Sequence, residues 1–250
     1  MSFSDEQLLR YSRQIMLPSF GIEAQAELQH ARVLIIGAGG LGSPAALYLA
    51  AAGVGTLILA DDDRVELTNL QRQILHREQD IGRLKVNSAR TSLAAINPEC
   101  HLITLPERLE NDRLEAVIDD CDLVIDGSDN FATRFAVNAA CFARGKPLVS
   151  GAAIRMEGQL SVFDPRLPGS PCYRCLYRDG EEAEQTCAEN GILAPVVGII
   201  GSLQALEAIK LLTGVGEPLI GRLLLFDGFS LDFRTLRLKP DPGCDICRRT

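Results

Sequence analysis

Val33-Leu-Ile-Ile-Gly-Ala-Gly-Gly-Leu-Gly-Ser43 decides the fold. The opening apolar run, rich in β-branched Val and Ile, reads as a buried parallel strand. Gly37, Gly39 and Gly42 then fall at G-x-G-x-x-G spacing, and Pro44-Ala-Ala-Leu-Tyr-Leu-Ala-Ala-Ala52 reads as a helix with Pro in its first turn. Strand, glycine turn and helix N-terminus together make an anion site, because the backbone approaches a phosphate closely and the helix dipole favours negative charge. The expectation is a nucleotide-binding α/β fold. The spacing alone does not say which nucleotide or which reaction.

Outward from this stretch, the pattern alternates strands and helices. Thr56-Leu-Ile-Leu-Ala60 is a second strand ending in Asp61-Asp62-Asp63, and an acid at that distance from the glycines suits ribose hydroxyls. Between Val65 and His76 lies an insert rich in amides. Its Asn69, Gln71, Arg72 and Gln73 either converge on a nucleotide or form a polar surface turn. A helix begins at Gly82-Arg-Leu-Lys85 and runs to about Ile96, and the cation Lys85 in its first turn calls for a compensating anion. Further strands are expected at 101–105, 122–126 and 146–151. Asp129 and Asn130 follow the fourth strand at the sheet edge where ligands bind. Asp129 suits Mg²⁺, or an N-cap for the next helix, or both.

Past residue 151 the pattern changes. Strands at 158–163, 221–226 and 231–238, the last two without a crossover helix, predict an antiparallel extension. The expected organisation is one domain over 1–250: a helical arm (1–30), a nucleotide-binding half (31–150) and the extension (151–250). The arm opens with Ser4 and Gln7 at capping-box spacing, and Leu8, Leu9, Tyr11 and Ile15 form its apolar stripe. Arg10 and Arg13 share one helix face, which spacing alone reads as either solvated or functional. Segment 178–190 reads as a loop carrying Cys187. Helix 194–213 is nearly apolar, with Gln204, Glu207 and Lys210 expected on its exposed edge, and is placed in the core or at a subunit contact.

Composition sets limits. The 250 residues are 46% hydrophobic, enough to bury a substantial core, and carry a net charge of −8, which argues against a general nucleic-acid binder. The apolar run at 191–203 is too short to cross a membrane, and the N-terminus lacks a basic and apolar leader, so a cytoplasmic location is expected. Of eight cysteines, Cys172, Cys175, Cys244 and Cys247 form two C-x-x-C pairs. These suit a tetrahedral structural Zn²⁺, with a redox dithiol or disulfides as alternatives. Cys100, Cys121 and Cys141 read as small core residues.

A dehydrogenase is the usual owner of the glycine motif, but cations and a metal-binding carboxylate suit a polyphosphate better. Beyond these features, the chain resembles the ThiF/MoeB/HesA family, bacterial relatives of ubiquitin-activating enzymes, over essentially its whole length. The resemblance rests on Arg10-Tyr-Ser-Arg-Gln-Ile15, the 37–42 loop, Thr68-Asn-Leu-Gln-Arg-Gln73, Lys85, Ser128-Asp-Asn130, Ser150-Gly-Ala-Ala-Ile-Arg-Met-Glu-Gly-Gln159, Cys172-Tyr-Arg-Cys-Leu176, Gly201-Ser-Leu-Gln-Ala-Leu-Glu-Ala-Ile-Lys210 and Pro242-Gly-Cys-Asp-Ile-Cys247.

The resemblance implies binding of ATP with Mg²⁺ and adenylation of the C-terminal Gly-Gly carboxylate of a ubiquitin-like sulfur carrier. The 150–159 segment leans toward members that act on the MoaD type in molybdenum cofactor biosynthesis. Alternatives are the same reaction on ThiS in thiamine biosynthesis and a non-catalytic docking module. It further implies Gly40 against the nucleotide, Asp61 on the ribose, and Thr68, Asn69, Leu70, Gln71 and Arg72 along the nucleotide with Arg72 on phosphate. Lys85 would neutralise phosphate charge, and Asp129 would hold Mg²⁺ with Asn130 beside it. Arg13 would reach the partner's ATP in a homodimer. One structural zinc would sit on the four paired cysteines, a separate protein would donate sulfur, and the role of Cys187 stays open.

Overall fold

The run at 33–36 forms β1 (Arg32–Ile36), and it is buried because both of its faces are covered. The structure is a computed structural model that describes residues 3–177 and 191–248. In an eight-stranded sheet, β1 lies between β2 (Thr56–Ala60) and β4 (Leu123–Asp126). β3 (His101–Leu105) pairs with β2, and β5 (Leu148–Ile154) with β4, all in parallel. β6 (Glu157–Phe163), β7 (Arg222–Asp227) and β8 (Asp232–Arg237) continue the sheet antiparallel. The parallel sheet with its antiparallel extension is the architecture that the sequence predicts.

Side-chain alternation splits the core into two layers. Val33 and Ile35 pack with α2 (Gly21–His30), α3 (Gly42–Ala52), α4 (Lys85–Ile96) and α8 (Ala194–Thr213), while Leu34 and Ile36 pack with α5 (Asn111–Asp119) and α6 (Phe131–Arg144). Period-two burial on both faces is what a central parallel strand requires. Burying a Leu or Ile side chain contributes about 1.5–3 kcal/mol, so β1 anchors both layers.

Two expectations on helices are corrected. In α1 (Asp5–Ile15) the capping box of Ser4 and Gln7 is present, but Tyr11 alone of the predicted stripe is buried. Leu8 and Leu9 are exposed, because α1 touches the body at one line, where Asn97 Nδ2 donates to the Tyr11 hydroxyl at 2.8 Å. In α8, Gln204 and Glu207 are buried rather than exposed. The sheet beneath supplies the reason. Gln204 Nε2 donates to the carbonyls of Asp126 and Val149, and Glu207 Oε2 accepts the Leu219 N–H while its other oxygen pairs with Lys210. By length and hydropathy α8 passes as a membrane span, yet it packs across β5 and β6 with those polar groups turned inward. Cys187 and the loop at 178–190 lie outside the described residues.

Candidate active site

A cavity of about 680 Å³ opens between the C-terminal ends of β1 and β4, the point at which the strand order reverses. The glycine loop forms one wall. Gly37 has φ +89°, a conformation that glycine adopts without a Cβ penalty, and a Cβ on Gly42 would lie 1.8 Å from the Gly37 carbonyl oxygen. No side chain caps α3, so its first-turn N–H groups receive no side-chain acceptor. The loop's Ala38 N–H donates to Asp61 Oδ2 at 2.8 Å, and Asp61 Oδ1 accepts the Asp63 N–H at 2.9 Å. Burial pushes the Asp61 carboxyl above its usual range, and nearby Lys85 opposes that.

Lys85 opens α4 and is buried, with Nζ 2.6 Å from Asp63 Oδ2 and 4.0 Å from Asp61 Oδ1. The anion called for at that helix start is therefore Asp63, whose carbonyl also accepts the Lys85 N–H at 2.9 Å. Gly40, Asp61, Arg72, Lys85, Asp129 and Asn130 all line the cavity. Thr68, Asn69, Leu70 and Gln71 stand outside its lining. They build the turn that carries Arg72: the Asn69 side chain accepts the Glu66 N–H, and Arg72 Nη1 donates to the Thr68 carbonyl. Gln73 takes the inward place instead, buried on the cavity wall. The cap of α6 is Asn130, which accepts the Thr133 N–H at 2.9 Å. Asp129 is therefore no cap, and its exposed carboxylate faces the cavity. Arg13 lies exposed on α1, outside the lining.

The four paired cysteines meet away from this cavity. Their sulfurs all lie within 4.8 Å of one another, with Cys172–Cys175 at 3.9 Å, Cys172–Cys244 at 3.5 Å and Cys175–Cys247 at 3.3 Å. Four thiolates bound to zinc at about 2.3 Å stand about 3.8 Å apart, so the cluster fits a closed tetrahedral site. The sulfurs are free, not disulfide-bonded. Cys100, Cys121 and Cys141 are buried, as expected of core thiols. Burial pushes the Cys100 thiol up to about 11, which leaves it unreactive at neutral pH.

The profile of the ThiF family matches residues 11–246. The chain belongs to the ThiF family. Among ThiF-family relatives, it is 50% identical to the molybdopterin-synthase adenylyltransferase of Escherichia coli (strain K12), over 98% of each chain. It is 49% identical to the sulfur carrier protein ThiS adenylyltransferase of the same strain, over 98% of this chain and 96% of that protein. Among solved structures, it aligns with the crystal structure of PaaA at a TM-score of 0.82 and 26% identity, covering 96% of this chain and 76% of the other.

Sequence reasoning missed several residues of this ThiF-family site. Arg134, buried on α6, lines the cavity and donates through Nη2 to the Ser128 carbonyl at 2.7 Å, one residue before Asp129. Tyr177 donates to Gln159 Oε1 at 2.8 Å, and both line the cavity beside the antiparallel strands. The signal for Arg134 was a charge on the same helical face as Val137, Asn138 and Cys141. For Tyr177 there was none.

Proposed function

We propose that this chain transfers the adenylyl group of ATP to the C-terminal carboxylate of a ubiquitin-like sulfur carrier of the MoaD type, in molybdenum cofactor biosynthesis. The carrying observation is that Arg72, Lys85 and Asp129 share one cavity with the glycine loop, in a chain half identical to an enzyme bearing that activity in its name. A carboxylate oxygen of the carrier's terminal Gly-Gly attacks the α-phosphorus. The bond from that phosphorus to the bridging oxygen breaks, and pyrophosphate leaves with the electron pair. An acyl-adenylate remains for a separate sulfur donor. Such a displacement needs positioning and charge neutralisation above all. Arg72 and Lys85 neutralise the phosphates, and the loop at Gly40 and Asp61 hold the nucleoside. The turn of Thr68, Asn69, Leu70 and Gln71 sets Arg72. Asp129, with Asn130 beside it, would hold Mg²⁺, which takes one or two carboxylates plus phosphate oxygens.

The active unit in this reading is a homodimer in which Arg13 of the partner subunit reaches the phosphates. Arg13 is exposed and makes no ion pair among the described residues, and Leu8, Leu9 and Met16 on the same arm are exposed apolar side chains in need of cover. The metal on Cys172, Cys175, Cys244 and Cys247 is a structural zinc, and the work is cytoplasmic. ATP–pyrophosphate exchange tests the reading: it should appear with a MoaD-type carrier. The 49% identity to a ThiS adenylyltransferase makes ThiS the second carrier to assay, and exchange with ThiS alone would reassign the substrate.

A further inference from the structure

His76 is singled out by no motif, yet its ring joins the glycine loop to α4, and its backbone ties both to the turn that carries Arg72. It is 5% exposed. Nε2 lies 2.9 Å from the Ala38 carbonyl oxygen in the glycine loop. Nδ1 lies 2.9 Å from Ser88 Oγ on α4, one turn beyond Lys85. Its backbone N–H donates to the Gln73 carbonyl at 3.0 Å, in the turn that carries Arg72. Ala38 is thus held through both of its flanking peptides, its N–H by Asp61 Oδ2 and its carbonyl by His76.

The partners fix where the ring proton sits. A carbonyl only accepts, so Nε2 carries the hydrogen. In a neutral ring Nδ1 then offers a lone pair, and the Ser88 hydroxyl donates to it. The Ser88 hydroxyl also lowers the Asp80 carboxyl, so the two acceptors compete for its hydrogen; a charged ring would turn that hydrogen toward Asp80. The charged groups that bear on the ring are Lys85, Asp61 and Asp80. Burial of the ring, which disfavours the cation, keeps it on the neutral side of this balance.

We infer that His76 is a positioning residue: its Nε2–H holds the Ala38 peptide and so sets the glycine loop against Lys85 and Arg72 for nucleotide binding. This rests on reading the cavity as the ATP site. A core histidine that only fills space would serve as well in any tautomer, and any side chain of like size would replace it. The full-length chain separates the two through ATP binding by calorimetry, the KM values for ATP and carrier in exchange, and ring ¹⁵N NMR. The wild-type ring should be the neutral Nε2–H tautomer at pH 7.5. His76→Leu should raise the KM for ATP tenfold or more and leave that for the carrier unchanged. His76→Gln, which keeps an amide donor for the Ala38 carbonyl, should recover most of the loss, and Ser88→Ala should fall between. An Nδ1–H tautomer overturns the inference even if no variant folds. So do equal KM values for ATP in the Leu and Gln variants. Failure of the wild-type chain to bind ATP would overturn the reading of the cavity itself, whereas normal ATP binding by wild type and His76→Leu alike overturns only the role given to His76.

Discussion

Replacing Lys85 by Met separates what that ammonium does for the fold from what it does for the reaction. Lys85 and Asp61 have side chains 8% and 9% exposed, with the charges 4.0 Å apart. At that distance the attraction is about 1 kcal/mol in water and about 4 kcal/mol at an effective dielectric constant of 20, and the burial favours the upper end. Without the lysine, Asp61 either stays charged and unpaired or takes up a proton. From an ordinary carboxyl pKa of about 3.9, protonation at pH 7 costs at most about 4 kcal/mol, and less for a group already raised. Lys85→Met should therefore lower the unfolding free energy by about 2–4 kcal/mol at pH 7 in urea titrations. The deficit should narrow toward pH 5, since an acid whose folded pKa is raised binds its proton more readily folded than unfolded. Asp63 is 66% exposed, so Asp63→Asn should cost only about 0–1 kcal/mol of stability. In ATP–pyrophosphate exchange, loss of a preorganised cation should cost about 2.7–4 kcal/mol, or 10²–10³ in rate. A folded Lys85→Met chain exchanging within about threefold of wild type would refute the assignment of this lysine to phosphate charge.

Four further outcomes are expected. Asp129→Ala should slow exchange by about 10²–10³ with little change in stability, because its exposed carboxylate caps nothing; near-normal exchange would remove it from the mechanism. Metal analysis should give one zinc per chain, and stripping it should cost on the order of 10 kcal/mol of folding free energy, read as a collapse of the thermal midpoint. Co-expressing Arg13→Ala with Asp129→Ala chains should restore about a quarter of wild-type exchange, because half of the dimers would hold one complete site; no restoration would place Arg13 outside the partner's site. Stability should fall as pH drops below about 6.5, since the buried His76 ring resists a proton that the unfolded chain accepts, and His76→Gln should lack that part of the slope.

The strands were legible because each signal is local: a β-branched run bounded by turn residues specifies its own burial. So was the place of Arg72, Lys85 and Asp129 on the cavity wall, each marked by a local signal. Arg72 interrupts what should be a simple crossover, Lys85 puts a cation at a helix start, and Asp129 puts an acid at a strand end. The failures have one physical origin. Gln204 and Glu207 looked like an exposed edge because helical spacing tells which residues share a face and not which face meets the sheet. What turned that face inward is the backbone of other segments, the Asp126, Val149 and Leu219 groups that Gln204 and Glu207 satisfy. His76 has the same character, since its partners lie 38 residues upstream and 12 downstream.

Arg134 shows where a sequence reading can be extended. A charge among buried neighbours on one helical face is costly unless something pairs it, so its presence there calls for a partner at the α6 N-terminus. The structure supplies the Ser128 carbonyl, which Nη2 reaches at 2.7 Å, and places the Asp126 carboxylate nearby. That hydrogen bond fixes the peptide just before Asp129, while Asn130 takes over the cap. The acid is held from both sides by its neighbours: its Oδ1 accepts from Asn130 Nδ2 at 3.5 Å, and neither of its oxygens caps a helix N–H. Replacing Arg134 should therefore impair the reaction through Asp129 even though Asp129 is intact, and Arg134→Lys, unable to reproduce the planar guanidinium fork, should not restore it.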